Sequence, residues 1–249
     1  LDVIDVIMYK EKCSKHEAIL KAVSMIEGTA NQSTTTREEF LTKMFTYFKN
    51  AVYNAKTAQA YINARSLDHN TIEIGYNAAQ FHHGSRKDET LLKNCVQYGL
   101  LKPTNRMNAR DKETNVYNVF GKFCIAFALR NKANQVSGLY FRSTINDTDS
   151  REGAGQAKHF YLKDRQGLYP SYPNPDTKKL ILTEAIIDAA TLLQVDTITA
   201  DYSILSCYGT NGFTEEHEQA IKGLEQLEEI IFFFDGDEAG RKAVEKLSL

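Results

Sequence analysis

Glu184, Asp235 and Asp237 are the residues of this chain whose types and spacing could do chemistry together. Glu184 ends a short apolar run, Leu180-Ile181-Leu182-Thr183. The two aspartates follow a second run, Ile230 to Phe234, as Asp235-Gly236-Asp237-Glu238-Ala239-Gly240. Oxygen-only groups of this kind suit a hard divalent cation such as Mg²⁺ or Mn²⁺. Carboxylates forced together repel one another unless a cation neutralises them. An ion held there would be available to phosphates. A single acid at a strand end is more simply a turn or helix-cap residue, since Asp-Gly is a common turn pair. An acid ending one strand with Asp-x-Asp ending another favours the metal reading.

Both apolar runs are short, rich in β-branched and aromatic residues, and followed by helical patterns, so they read as buried strands of an α/β sheet. Parallel strands carry functional groups at their carboxyl ends, which would bring the three acids to one edge. Upstream, Phe40, Leu41, Met44, Phe45, Phe48, Val52 and Ala55 recur at spacings of three and four, which predicts one long helix from Arg37 to about Ala64. Ser14 and Glu17 form a capping-box pattern ahead of a short helix. Residues 28–36 are small and polar and read as a linker. A helix over 88–101 should end at Gly99, and Tyr117–Leu129 and Val136–Phe141 read as two strands joined by a turn. His82-His83 read as loop surface with the two rings pointing apart. Pro103–Asn115 and Ser143–Gln156 read as exposed loops, and Pro170, Pro173 and Pro175 as a linker into the acidic half.

The chain of 249 residues is 42% hydrophobic and 25% charged, ordinary for a globular protein with one large or two modest domains. No apolar run approaches the ~20 residues needed to span a bilayer. Four cysteines (Cys13, Cys95, Cys124, Cys207) are scattered without a Cys-x-x-Cys pair, against a disulfide framework or zinc finger within this stretch and in keeping with a reducing cytoplasm. The net charge of −2 conceals an asymmetry: residues 100–179 carry 14 basic and 7 acidic side chains, residues 180–249 carry 4 and 14. A basic part beside an acidic one suits an enzyme acting on polyanions.

Glu184 with Asp188 four residues on, then Asp235-x-Asp237 with Gly240, resembles the Toprim domain of primases, type IA and II topoisomerases and some nucleases. The chain over nearly its whole length resembles the bacterial DnaG-type primase. Leu205–Thr210 followed by Thr214-Glu215-Glu216-His217 is similar to that family's Leu-Gly-Thr turn and next helix. Tyr61 to Leu67, Ile74-Gly75-Tyr76, Gly138 to Arg142 and Lys158 to Leu162 are similar to further family segments. Ala185 stands where the family usually has Gly, and Ser66 replaces another Gly. A turn requiring φ > 0 after Glu184 would therefore differ here.

The resemblance implies an α+β N-terminal subdomain followed by an α/β, Rossmann-like Toprim subdomain with a mostly parallel sheet. Residues 1–30 would be the remnant of a region following a zinc-binding domain, plus a linker. Residues 31–177 would form the basic subdomain, and residues 178–249 an incomplete Toprim subdomain. It implies metal-dependent synthesis of short RNA primers from ribonucleoside triphosphates on single-stranded DNA, in the cytoplasm, with Mg²⁺ or Mn²⁺ and no zinc in this stretch. A replicative helicase would engage a C-terminal region beyond Leu249. Glu184, Asp235 and Asp237 would be catalytic metal ligands, and Asp188 a further ligand or outer group. Arg65, Lys122, Arg142, Lys158 and Lys163 would hold nucleic acid or nucleotide. Two alternatives remain: a Toprim nuclease or topoisomerase cutting DNA with the same acids, and a non-catalytic nucleic-acid-binding replication module.

Overall fold

The computed structural model describes residues 2–19, 21–22, 35–83, 88–104, 116–145 and 158–248. Two compact units comprise residues 1–36 and 37–249. In the first, helix α1 (Val3–Glu11) is opened by Asp2, whose carboxylate accepts the Asp5 N–H at 2.8 Å. Ser14 and Glu17 make the reciprocal cap that their spacing implies, and residues 15–19 are helical. Most of the 28–36 linker lies outside the described residues.

The second unit begins with α2 (Arg37–Val52) and α3 (Lys56–Ala64). These are two helices where one was expected. The chain breaks at Tyr53–Ala55, where Gln59 Nε2 takes the carbonyls of Val52 and Tyr53 at 3.1 and 2.9 Å. A side chain that satisfies the last carbonyls of a helix removes the advantage of continuing it. Strand β1 (Gly75–Asn77) follows, then α4 (Glu89–Gln97), capped by Asp88 and ended by Gly99 at φ +84°. Strands β2 (Leu101–Thr104) and β3 (Val116–Val119) pair antiparallel. Tyr117–Leu129 is thus not one strand. Gly121 (φ +61°) and Phe123 (φ +57°) turn the chain between β3 and β4 (Cys124–Arg130). With β5 (Val136–Ser143) and β6 (His159–Tyr161), these strands form an antiparallel sheet in the order β1-β4-β5-β6. Residues 105–115 and 146–157, most of the two expected loops, lie outside the described residues.

Helix α2 packs on this sheet through the residues its periodicity selects. Phe40, Leu41, Met44, Phe45, Phe48 and Val52 are all buried. Phe48 meets Phe81 and Phe141 edge-on at 5.8 and 6.1 Å between ring centres. Phe48→Ala is therefore expected to cost about 3–5 kcal/mol of stability, read as a shift in denaturant midpoint. His82 departs from its surface reading. It is buried, its ring packs 4.0 Å from that of His83, and burial holds its pKa below the usual histidine value.

The remainder is built as β7 (Lys179–Thr183), α5 (Ile186–Leu192), the short α6 (Asp196–Thr199), β8 (Ser203–Ser206), α7 (Glu215–Lys222), β9 (Glu229–Phe233) and α8 (Glu238–Leu247). The strands are parallel in the order β8-β7-β9, as helical crossovers require. The expected α+β part followed by an α/β part with a parallel sheet is what the chain forms. Central β7 is buried as expected, but β9 is not. It pairs only with β7 among the described residues, leaving Ile231 and Phe233 36% and 50% exposed. One apolar cluster joins the two sheets, with Ile62, Leu67, Phe127 and Tyr140 packed together with Ile186, Ile187, Ala189 and Ala190. Among the described residues, no helix is long and apolar enough to cross a membrane.

Candidate functional site

The carboxyl ends of all three parallel strands meet at Glu184. Its N–H donates to Phe233 O at 3.1 Å, and its carbonyl accepts from Gly209 N at 2.9 Å. Its side-chain Oε2 accepts the Asp235 N–H at 3.2 Å. Gly209 sits at φ +94°, a conformation that glycine adopts without strain. Glu184 is thereby fastened to the ends of both neighbouring strands, as the strand reading requires. Ala185 causes no distortion. It lies at φ −125°, ψ 154°, extended backbone open to any residue, so the turn after Glu184 does not need a glycine.

Asp188 turns back to accept the Ala185 N–H at 3.2 Å, capping α5. Asp237 caps α8 by accepting from Gly240 N at 2.8 Å. The capping explanation of these acids is therefore true of two of them, yet capping leaves each an oxygen to spare. Burial, then Asp235, Asp237 and Asp188 nearby, hold the Glu184 carboxyl above its usual range. Burial and Asp235 do the same for Asp188, partly offset by the Arg65 charge. The four side chains thus feel one another as a like-charged group of hard oxygen donors, which fits Mg²⁺ or Mn²⁺ chemically. Among the described residues, however, no three of them stand close enough to grip one ion together.

A basic cluster lies beside this edge. Tyr61 on α3 organises it, with Arg142 Nε donating to Tyr61 Oη at 3.1 Å and the Arg65 guanidinium 5.6 Å from the Tyr61 ring centre. Arg65 follows α3 directly. The turn beyond it is tied to the end of α5 by Gln194, which accepts the Asp68 N–H at 2.6 Å and donates to Ser66 O at 3.3 Å. Arg65 acts electrostatically on both Asp188 and His159, so it stands between acids and bases. Ser66 sits at φ +52°, a conformation costing a non-glycine residue roughly 1–2 kcal/mol. Ser66→Gly is accordingly expected to raise stability by up to about 1 kcal/mol in chemical denaturation.

Of the other expected phosphate-binding residues, Lys158 adjoins His159, which pairs with Arg142 across the β5–β6 ladder. Lys122 is exposed in the turn before β4, and no hydrogen bond or ion pair ties it to the cluster among the described residues. Lys163 is not brought in. It neighbours Leu162, whose N–H donates to Leu139 O, and its Nζ lies 3.8 Å from Asp164. That places it about four strand positions, roughly 13 Å, along β5 from Arg142. Tyr140 and Phe141 are core residues, whereas half-buried Tyr161 meets Tyr208 edge-on, with the Arg165 guanidinium over both rings. Arg165, close in sequence to Lys163, lies instead over the Tyr161 and Tyr208 rings. His159 carried no signal in the sequence, since its partners are set by strand register.

Residues 181–248, which carry this sheet edge, match the family described as Toprim-like. A DNA primase of Haemophilus influenzae is 25% identical over 215 residues, covering 82% of this chain and 33% of the relative. A DNA primase of Buchnera aphidicola is 25% identical over 263 residues, covering 97% of this chain and 43% of the relative. The chain therefore spans a third to under half of the length of these curated relatives. Among solved structures, a DnaG primase catalytic domain bound to single-stranded DNA superimposes with a TM-score of 0.62 at 21% identity. The match covers 86% of this chain and 67% of that one. The particular fold is that of the DnaG-type primase catalytic core, with its Toprim-like part at residues 181–248.

Proposed function

We propose that this chain is the catalytic part of a cytoplasmic DNA primase, a nucleotidyltransferase that joins ribonucleotides into short RNA primers on single-stranded DNA. The observation that carries this reading is the meeting of Glu184 with the Asp235–Asp237 loop beside the Arg65–Tyr61–Arg142 cluster. Glu184, Asp235 and Asp237, with Asp188 behind them, would hold Mg²⁺ or Mn²⁺. A bound ion there offsets charge on the nucleotide phosphates and lowers the pKa of an attacking 3′-hydroxyl. Arg65, Arg142 and Lys158 hold template backbone or triphosphate by charge, so affinity falls as salt rises. Lys122 is an outlying contact at most.

The relatives named as primases support this reading over cleavage. Incubating the protein with single-stranded DNA, labelled ribonucleoside triphosphates and Mn²⁺ tests it. Short labelled RNA products are expected. Broken DNA without RNA synthesis would point to a nuclease, and neither product to a binding module.

A further inference from the structure

Arg142 and His159 face each other across the β5–β6 ladder, and their side chains touch through Arg142 Nη1 and His159 Nε2. A guanidinium only donates, so Nε2 must be the bare, accepting nitrogen of a neutral imidazole. The ring proton then sits on Nδ1, 2.7 Å from Tyr140 Oη, which accepts it. Among the described residues, the charged and titratable groups around the ring are Arg142 and Tyr140 from β5, Lys158 and Tyr161 from its own segment, Tyr61 from α3 and Arg65 just after it. The three charged ones are all cations. Burial, then Arg142, Lys158 and Arg65, push the His159 pKa down to about 4.

The neutral ring therefore occupies an Arg142 donor that a phosphate would use, and it gives that donor up when a phosphate engages the same guanidinium. We propose that His159 is itself a phosphate-binding residue: a phosphate oxygen displaces its imidazole from Arg142, and Nε2 takes a proton from solvent as it turns donor to the same phosphate. The inference rests on the reading of Arg65, Arg142 and Lys158 as a phosphate site, and deepens it. A phosphate placed among these cations removes the repulsion that keeps the ring neutral, so anion binding and proton uptake are the same event. Tyr140 Oη, on the far side of the ring, accepts from Nδ1 in both states and holds the imidazole in plane.

The test is binding at constant ionic strength from pH 5.5 to 8, with an oligo(dT) strand in one arm and inorganic tripolyphosphate in the other. The two arms separate template backbone from nucleotide triphosphate as the source of the phosphate. In the arm that uses the site, affinity is expected to climb as pH falls, by up to about tenfold per pH unit for one linked proton. His159→Gln, which cannot charge, is expected to flatten that slope, so that the difference from wild type grows as pH falls and is largest at pH 5.5. In the wild-type protein, the His159 ring resonances at pH 6.5 are expected to move to imidazolium positions on saturation with ligand. A full slope in His159→Gln, or a ring that stays neutral when saturated, overturns the inference alone. Undiminished binding by Arg65→Ala and Lys158→Ala overturns the phosphate reading beneath it.

Discussion

Glu184→Gln is expected to lower primer synthesis by roughly 10²-fold or more, the scale of losing one charge-stabilising group in an active site. Binding of single-stranded DNA should be nearly unchanged. The two effects separate because Glu184 belongs to the acidic edge, whereas DNA affinity is assigned to the cations across from it. The substitution also keeps the backbone in place, because a glutamine oxygen can still accept the Asp235 N–H that Glu184 Oε2 now takes at 3.2 Å. Stability should hold or rise, since Asp235, Asp237 and Asp188 all disfavour the charged form of Glu184. Loss of function without loss of stability is the signature of a site in which strain is kept for chemistry. Melting curves, primer synthesis and anisotropy titration of the same preparation check all three parts. A glutamine variant that still makes primers removes Glu184 from the mechanism.

Gly240→Ala should be nearly as damaging, for a steric reason. A Cβ at Gly240 would lie 2.1 Å from Asp235 O and 3.1 Å from Asp235 C, backbone atoms with no freedom to swing aside. The Gly240 N–H is also the donor to Asp237 Oδ1. One added methyl group must therefore push the Asp-x-Asp loop away from α8 or break its cap. The expected cost is about 1–3 kcal/mol of stability. Activity should fall by roughly 10²-fold, as a displacement near 1 Å can produce in a positioned site. Because β9 is an edge strand, the rest of the parallel sheet should survive, and far-UV circular dichroism should remain that of a folded protein. Full activity in Gly240→Ala would mean that the loop has no fixed place in the reaction.

Much of this architecture was legible from residue types. Leu180–Thr183 announced a buried parallel strand because a short β-branched run in the middle of a sheet needs no alternation. Glu184 reaches the Asp235 backbone because parallel strands present one end alike, although among the described residues no three of the acids come close enough to share an ion. The failures have equally physical origins. The apolar period of α2 runs on through Val52 and Ala55, so only the Gln59 side chain, reaching back to two carbonyls, reveals the break. The apolar run at β9 suggested burial, but burial depends on having a neighbour on each side. Lys163 was grouped with Lys158 by nearness in sequence, although the β5–β6 ladder carries it to the other end of the strand. His159 could not be seen at all, since it is 17 residues from Arg142 and only register unites them. His82 was read as surface because it adjoins His83 and Gly84 in a loop, while its ring packs against Phe81 and Tyr117.

The most direct measurement is a Mn²⁺ titration followed by electron paramagnetic resonance, in which free ion gives a strong signal and bound ion does not. Wild-type protein is expected to remove Mn²⁺ from solution saturably and to lose that capacity in Glu184→Gln. Equal Mn²⁺ uptake by both proteins, or none by the wild type in the presence of nucleotide and DNA, would contradict the assignment of Glu184, Asp235 and Asp237 as a metal-holding edge.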